Sequence, residues 1–129
     1  MTLLDTCAII WDALDPDQLT AKAKKTIEQA QGELMICDIS IWEISMLIKR
    51  KRIVIDDTAS AFINLLLQSR NFHVQGITPE IAELSVNFSQ EINNDPADRL
   101  IAATSILKNA PIITADQNLR DTALLSTIW

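Results

Sequence analysis

Two aspartates stand at the ends of predicted strands, where they are placed to bind a ligand. Asp5 ends the strand predicted over residues 2–5 (TLLD), and Asp116 ends the segment 111–116 (PIITAD), which also has a strand pattern. In open α/β sheets, ligands bind at the carboxyl ends of strands, near the point where the strand order reverses. Either aspartate alone also suits a helix cap or a turn, so both interpretations stay open at each position.

Glu43 occurs in a helix pattern that has almost no polar face. The segment 39–50 (ISIWEISMLIKR) is apolar on nearly every side, which predicts a helix that is buried all round. A buried carboxylate is unstable unless it is paired or bound to a ligand. Glu43 therefore either forms an ion pair with an arginine or lysine, or binds a ligand together with other acids.

Asp98 lies in the segment NNDPADRLIAATS (93–105), which begins another predicted helix. Asp95 suits the N-cap of that helix, and Pro96 suits its first position. The helix face that carries Asp98 continues with small or apolar residues, Ile101, Ala102 and Ser105. The Asp98 side chain is thus expected to point inward, so that capping and ligand binding are compatible at this position.

The four acids together fit a site for a hard metal ion. If they converge, their mutual repulsion raises some of their pKa values and destabilises the site. A divalent cation such as Mg²⁺ or Mn²⁺ relieves that repulsion, because it binds carboxylate oxygens and water and leaves positions open for a phosphate group. The chemistry that such a site supports is metal-assisted hydrolysis of a phosphodiester, in which the cation activates water.

The composition is that of one soluble domain over residues 1–129 with an acidic charge balance. The net charge is −6 at pH 7, whereas general nucleic-acid binders are usually basic. A nucleic-acid role must therefore depend on metal ions or on a local basic patch. One basic run is a candidate for such a patch, although it also suits the cationic end of a helix: Lys49, Arg50, Lys51 and Arg52.

The remaining reactive residue types offer no competing chemistry. Cys7 and Cys37 match no zinc motif and are predicted to be buried free thiols. The single histidine, His73, is far in sequence from every acid, which argues against a catalytic triad. The N-terminus is unlike a signal peptide, and no apolar run approaches the roughly 20 residues of a membrane span. We therefore expect a cytoplasmic protein without a membrane partner.

Strand and helix patterns alternate along the chain and predict the scaffold that positions the acids. Strand patterns cover residues 2–5, 34–37, 72–76, 111–116 and the terminal STIW, and RIVIDD (52–57) is a short extended pattern. Helix patterns cover residues 6–12, 17–31 and 39–50, and three more begin at Asp57 or Thr58, at Thr78 and at Pro96; the one from Thr78 includes Phe88 and Ile92. The alternation predicts an α/β fold with a small parallel sheet covered on both faces.

Four segments, in this order and spacing, resemble the PIN-domain ribonucleases, specifically the VapC-like toxins of bacterial type II toxin–antitoxin pairs. The segments are LLDTCAIIW (3–11), ISIWEISMLIKRKRI (39–53), DPADRLIAATS (95–105) and IITADQNL (112–119). The resemblance covers essentially the whole chain and implies a three-layer α/β/α sandwich with a small, mainly parallel central sheet. It also implies an Mg²⁺- or Mn²⁺-dependent endoribonuclease that cleaves RNA, is neutralised by a cognate antitoxin and forms a homodimer.

The resemblance assigns roles to individual side chains. The acidic quartet of the family falls on Asp5, Glu43, Asp98 and Asp116. Asp5 and Asp98 are implied to be the main metal ligands, while Glu43 and Asp116 either bind a second metal or orient the attacking water. Hydroxyl positions near the metal fall on Thr6 and Thr114, in supporting roles.

The sequence departs from its relatives at two places near these motifs. Cys7 stands where relatives often have histidine or serine, and Asn93 and Asn94 stand where many carry a histidine and another basic residue. Both departures bear on how RNA or a partner is held.

Arg99 either pairs with an acid of the site, within reach of RNA phosphates, or covers the helix start and supports the fold. The tryptophans are predicted to lie in the core or at a dimer interface: Trp11, Trp42 and Trp129.

Two other functions compete with the ribonuclease interpretation. A phosphatase of the haloacid-dehalogenase type uses an aspartate nucleophile and a second aspartate two positions later, but Cys7 follows Asp5 at that spacing. A catalytically silent PIN-like module that only binds proteins has no need of four acids. Neither the RNA that is cleaved nor the antitoxin can be named from the sequence.

Overall fold

The computed structural model describes residues 1–30 and 32–129. The described residues form one sheet of β1 (Thr2–Leu4), β2 (Leu34–Cys37), β3 (His73–Gln75), β4 (Ile112–Ile113) and β5 (Thr127–Ile128). The helices around it are α1 (Thr6–Leu14), α2 (Ala21–Gln29), α3 (Asp38–Lys49), α4 (Ala59–Ser69), α5 (Pro79–Asn87), α6 (Pro96–Lys108) and α7 (Gln117–Asp121). None of the helices within these residues is long and apolar enough to cross a membrane.

The sheet is parallel and has the order β3-β2-β1-β4-β5. The chain proceeds from β1 to β2 and β3 on one side, and then adds β4 and β5 on the other side of β1. The strand order therefore reverses beside β1. In such sheets a ligand binds in the crevice at the carboxyl ends of the strands next to the reversal, here β1 and β4.

Successive residues of each strand face opposite layers of the molecule. Leu4 and Ile113 pack into a core cluster with residues of α1, α2, α3 and α4. Leu3 and Ile112 face the other side and pack with Ile101 of α6. Because both faces of the central strands β1, β2 and β4 are covered, these strands are almost wholly apolar, as in other parallel sheets, whereas the edge strand β3 is largely exposed. The predicted three-layer α/β/α sandwich is confirmed.

Side-chain caps begin most of the helices. Thr20, Thr58 and Thr78 each accept a hydrogen bond from a backbone N–H three residues later, at the starts of α2, α4 and α5. Asp5, Asp95 and Asp116 cap α1, α6 and α7 in the same way. The prediction of a helix start at Thr58 and at Thr78 is confirmed, and two of the four candidate acids are helix caps.

The predicted helix over residues 17–31 is wrong at its start. A 3₁₀ turn spans Pro16–Gln18, and α2 begins only after Thr20. The Asp-Pro start signal therefore produces a single turn, and the threonine cap that follows begins the helix whose apolar face enters the core. Gln31, the last residue of the predicted helix, lies outside the described residues.

Two further element predictions need correction. Residues 52–57 are irregular rather than extended, and they follow a turn at Lys51, whose φ is 59°. The helix that starts after Thr78 ends at Asn87. Phe88 and Ile92 consequently lie beyond it, and they join a small core cluster from the segment that leads to α6.

The helix that carries Glu43 is not buried all round. The fully buried residues of α3 are Ser40 and Ile44, whereas Trp42 on the opposite side of the helix is 59% exposed. Trp42 is thus outside the core. Of the two cysteines, Cys37 is buried as predicted, but Cys7 is exposed. The apolar composition of α3 therefore does not reflect complete burial.

Candidate active site

A cavity of about 430 Å³ opens at the carboxyl ends of β1 and β4, and all four candidate acids line it. The prediction that the acids converge is thus supported by their placement. The lining consists of Asp5, Thr6, Cys7, Trp11, Glu43, Leu47, Asp95, Asp98, Ala115 and Asp116. Two strand ends and the helices α1, α3 and α6 contribute these residues, so the cavity exists only in the folded chain.

Asp5 is the most buried acid of the cavity, with 7% of its surface exposed. Its Oδ1 accepts a hydrogen bond from the backbone N–H of Ala8 at 2.9 Å, and its Oδ2 accepts one from the hydroxyl of Thr114. Burial raises the pKa of Asp5 to about 6, against the effect of these two hydrogen bonds. The nearby charges of Asp116 and Glu43 contribute to this increase.

Asp116 is held by the same hydroxyl group. Its backbone N–H donates to Oγ1 of Thr114 at 3.0 Å, and its Oδ1 accepts from the backbone N–H of Leu119 at 3.0 Å. Oδ1 therefore caps α7, and Oδ2 is available to the cavity. Thr114 is fully buried and connects the two strand-end acids through one oxygen atom.

Glu43 is fixed by hydroxyl groups rather than by a cation. The hydroxyl of Thr6 donates to Oε1 of Glu43, and Oγ of Ser40 lies 2.9 Å from Oγ1 of Thr6. Because Thr6 has one hydroxyl hydrogen, Ser40 is the donor in the second bond. Burial raises the pKa of Glu43, while the bond from Thr6 lowers it. The ion pair that sequence reasoning offered as an alternative is not what holds this side chain.

Asp98 is positioned by Asn93, which the sequence analysis treated only as a departure from relatives. Nδ2 of Asn93 donates to Oδ2 of Asp98 at 2.9 Å, and Oδ1 of Asn93 accepts from the backbone N–H of Asp95 at 2.8 Å. The amide thus connects the N-cap to the inward-facing acid. Burial raises the pKa of Asp98 to about 6, and the charges of Asp95, Asp116 and Asp5 add to this effect.

The acid cluster fits a divalent cation in its donor chemistry. The charges of Asp116 and Asp5 raise the pKa of Asp98, and those of Asp116 and Glu43 raise the pKa of Asp5. The carboxylates therefore lie within electrostatic reach of one another. Within residues 1–30 and 32–129, no three acidic, histidine or cysteine side chains lie close enough together to hold a metal ion as a group, so an ion here would bind one or two carboxylates and water. A hard divalent cation suits such donors, since an ion of this kind can bind through one or two carboxylates and keep several waters.

Arg99 belongs to the scaffold of the cavity rather than to its lining. Its guanidinium group donates to five backbone carbonyl oxygens in the segment between α5 and α6 and at the end of α5, those of Ser85, Phe88, Ser89, Ile92 and Asn93, at 2.8–3.3 Å. All five guanidinium N–H donors can be used in this way. The geometry matches the second interpretation of Arg99, support of the fold, and a contact with RNA stays an untested prediction.

Three other features lie in or near the cavity, and the basic run is at the end of the Glu43 helix as the sequence analysis predicted. Cys7 is on the cavity wall, where loss of hydration and the charges of all four acids raise its pKa to about 11. Trp11 lines the cavity and packs against Trp129, with ring centroids 5.9 Å apart. The basic run of residues 49–52 is exposed at the end of α3, outside the lining. No pattern in the sequence indicates that Cys7 and Trp11 lie on the cavity wall.

Comparison with known proteins identifies the family. Residues 2–125 match the PIN domain. The chain belongs to the PIN-domain family. This PIN-domain chain is also 34% identical over 120 residues to Ribonuclease VapC22 of Mycobacterium tuberculosis, which covers 92% of this chain and 88% of that protein. The resemblance predicted from the four segments is therefore confirmed.

Solved structures share the PIN-domain fold of this chain. A toxin–antitoxin complex from Klebsiella pneumoniae has a TM-score of 0.69 and 23% identity, and covers 96% of this chain and 94% of the other. VapBC2 from Rickettsia felis, bound to a DNA fragment from its promoter, has a TM-score of 0.72 and 14% identity, with 98% and 96% covered. At these identities the likeness concerns the fold.

Proposed function

We propose that this PIN-domain protein is an endoribonuclease toxin that depends on a divalent metal ion and is neutralised by a cognate antitoxin. The observation that carries the proposal is the assembly of Asp5, Glu43, Asp98 and Asp116 around one cavity at the reversal point of the sheet. The relative at 34% identity, named a ribonuclease of the VapC group, supports the same reaction class.

Asp5 and Asp98 are the proposed metal ligands. Each carboxylate oxygen of Asp5 accepts one hydrogen bond, which leaves a lone pair on each for an ion. Asp98 lines the cavity, and since Asn93 holds its Oδ2, its Oδ1 is the oxygen proposed to bind the ion. A bound Mg²⁺ or Mn²⁺ ion would supply charge neutralisation of the scissile phosphate and activation of water.

Glu43 and Asp116 are the proposed residues that orient the attacking water. Oε1 of Glu43 is fixed by Thr6, so Oε2 is available to accept a hydrogen bond or a proton from water. Oδ2 of Asp116 is free in the same way, because Oδ1 caps α7. Thr6 and Thr114 act as positioning residues, since the hydroxyl of each donates to a carboxylate of the site.

The proposed partners follow from the same site. An antitoxin that covers the cavity would exclude RNA from the four acids. A homodimer is also part of the proposal, and light scattering of the purified chain measures it directly. The toxin is expected to cleave RNA alone and to lose that activity when its antitoxin is added in equal amount.

The decisive experiment is cleavage of single-stranded RNA by the purified protein. We expect cleavage with Mg²⁺ or Mn²⁺, none with EDTA, and loss of about 100-fold or more for Asp98→Asn, by analogy with removal of a group that stabilises the transition state. Asp95→Asn is the matched control, because asparagine also caps a helix and the residue lies in the same cavity. Full activity of Asp98→Asn, with cleavage insensitive to EDTA, contradicts the proposed metal site. Absence of cleavage by the wild-type protein with either ion contradicts the ribonuclease and favours a silent binding module.

A further inference from the structure

An RNA strand that approaches this cavity meets a strongly acidic chain. The net charge is −6, and five acidic side chains line the cavity. Several basic residues are already engaged: Arg70 pairs with Asp12 at 3.0 Å, Lys24 with Asp17 at 3.6 Å, and Arg99 binds backbone carbonyls. Binding of a polyanion therefore requires a separate concentration of positive charge near the cavity.

The basic run of residues 49–52 is such a concentration. It holds four of the eleven Lys and Arg residues of the chain, and all four are exposed. None of the four forms an ion pair with any residue that the structure describes. Their charges are thus available to a ligand, unlike those of Arg70 and Arg99.

The helix α3 leads directly from the cavity to this basic run. Glu43 and Leu47 line the cavity, and Arg50 lies seven residues after Glu43, on the same helical stripe. At about 1.5 Å per residue, the stripe extends about 10 Å from the acid to the first cations. A strand whose scissile phosphate is at the acids therefore reaches the basic run without leaving the surface of α3.

The backbone conformation of Lys51 is a second, independent reason to assign a role to the basic run. Lys51 has a φ of 59°, and its N–H donates to the carbonyl of Ile48 while that of Arg52 donates to Leu47. This is the Schellman ending of a helix, in which the left-handed position normally holds glycine. The other non-glycine residues with positive φ in the described chain are Asn71 and Asn109, and asparagine tolerates this conformation. Lysine does not tolerate this conformation, so the cation at position 51 is present at the expense of the stability of the fold.

Trp42 adds an aromatic surface beside the same path. Its side chain is 59% exposed, although it is the residue next to Glu43. It lies opposite the buried residues Ser40 and Ile44, and Lys49 follows seven residues later on the same side of the helix. Bases of single-stranded nucleic acids stack on exposed aromatic rings, and their phosphates bind neighbouring cations.

We infer that the outer face of α3, from Trp42 to Arg52, is the binding track for the single-stranded RNA that enters the cavity. Trp42 stacks on a base next to the cleaved bond, and the basic run contacts phosphates further along the strand. The inference rests on the proposed function, because it concerns the substrate of the same site. It concerns binding of the strand and assigns no chemical step to these residues.

Lys51→Gly is the sharpest variant, because it separates charge from folding. Glycine suits the left-handed position, so the melting temperature is expected to stay the same or rise. The KM for a short labelled single-stranded RNA is expected to rise by about threefold or more, and the slope of log KM against log salt to decrease by about 0.7, the value for one phosphate contact on a single strand. Lys108→Ser, at the far end of α6 from Asp98, removes the same charge and is expected to leave both quantities unchanged.

Trp42→Ala and Trp42→Phe test the stacking contact. Loss of the ring is expected to raise KM by about fivefold or more, and phenylalanine is expected to restore most of the affinity. Light scattering of both variants is measured in parallel. A change in oligomeric mass for Trp42→Ala with an unchanged KM would identify the face as an interface between copies and overturn the inference.

Binding to Asp98→Asn in EDTA, followed by fluorescence anisotropy, distinguishes the two possible failures. If the wild-type protein does not cleave RNA but Lys51→Gly and Trp42→Ala weaken binding in the Asp98→Asn background, the proposed function fails and the track stands. If RNA is cleaved and neither substitution changes KM, binding or the salt slope, the track is wrong and the proposed function stands.

Discussion

Thr114 donates a hydrogen bond from its hydroxyl to Oδ2 of Asp5, across adjacent strands and 109 residues of sequence. The same oxygen accepts the backbone N–H of Asp116 at 3.0 Å. One buried threonine therefore holds two acids of the cavity at the reversal point of the sheet. Its bond to Asp5 favours the ionised form of a carboxyl group whose burial favours protonation.

Replacement of Thr114 by valine is expected to weaken both the fold and the site. Valine leaves Oδ2 of Asp5 and the N–H of Asp116 without this partner, a loss of about 1–3 kcal/mol in the free energy of unfolding. It also raises the pKa of Asp5 further, so the acidic limb of the pH–activity profile is expected to move to higher pH. Thr114→Ser keeps the hydroxyl and is the control. An unchanged acidic limb in Thr114→Val contradicts the role given to this bond.

The metal-free protein is expected to become less stable as the pH rises from about 4 to about 6. The pKa values of Asp5 and Asp98 in the folded chain are about 6, above the ordinary value of 3.8. Between these values the folded state binds more protons than the unfolded state, so the free energy of unfolding decreases with rising pH and stays low above the window. Urea unfolding at several pH values in EDTA measures the slope.

Asp5→Asn and Asp98→Asn identify the groups responsible for that slope. Each is expected to reduce the slope and to raise the melting temperature at pH 7 in EDTA. The gain in the free energy of unfolding has an upper limit of about 3 kcal/mol for the buried Asp5. Asp56→Asn, at an exposed position, is the control. Mg²⁺ should stabilise the wild-type protein more than either variant, since a ligand of the folded state adds stability. A lower melting temperature for both variants would instead indicate structural hydrogen bonds.

The sequence predicts the position of each acid better than its surroundings. The alternation of strands and helices is sufficient to put Asp5 and Asp116 at strand ends, because side-chain periodicity and parallel pairing are local and topological properties. The inference that Glu43 needs a partner or a ligand depends on a helix predicted to be buried all round. In the structure α3 exposes Trp42, and the partner of Glu43 is Thr6. Amphipathic patterns do not distinguish a core face from an apolar surface that serves another purpose.

Asn93 and Arg99 illustrate what a single sequence does not contain. Asn93 holds Asp98 through an amide in an irregular segment, and Arg99 binds five carbonyls of the same region. Neither contact leaves a periodic signal, because it depends on how the chain folds between α5 and α6. The helix N-cap at Asp95, by contrast, is a short-range property that the sequence predicts directly.

Arg99→Ala is expected to destabilise the fold by about 2–4 kcal/mol, since it removes five hydrogen bonds of a partly buried network. Arg99→Lys is expected to recover little, because an ammonium group has three donors and cannot reach five carbonyls in one plane. Arg120→Ala, at an exposed position of α7, serves as the control for charge. A stable Arg99→Ala protein with a raised KM for RNA would favour the phosphate contact over the role in the fold.

Cys7 provides a chemical report on ion binding that does not require RNA. Its thiol is exposed on the cavity wall, and its pKa is raised to about 11 by loss of hydration and by Asp5, Glu43, Asp98 and Asp116. Because the thiolate is the reactive form, alkylation by iodoacetamide in EDTA at pH 8 is expected to be slower than for an ordinary exposed thiol.

Mg²⁺ is expected to accelerate that alkylation, because a cation among the acids offsets the charges that disfavour the Cys7 thiolate. The rate for Asp98→Asn is expected to be higher in EDTA and to respond less to Mg²⁺. Cys7→Ser identifies the labelled residue, since Cys37 is buried. An alkylation rate that falls when Mg²⁺ is added would mean that the ion shields or binds the thiol, and that the acids alone do not form the metal site.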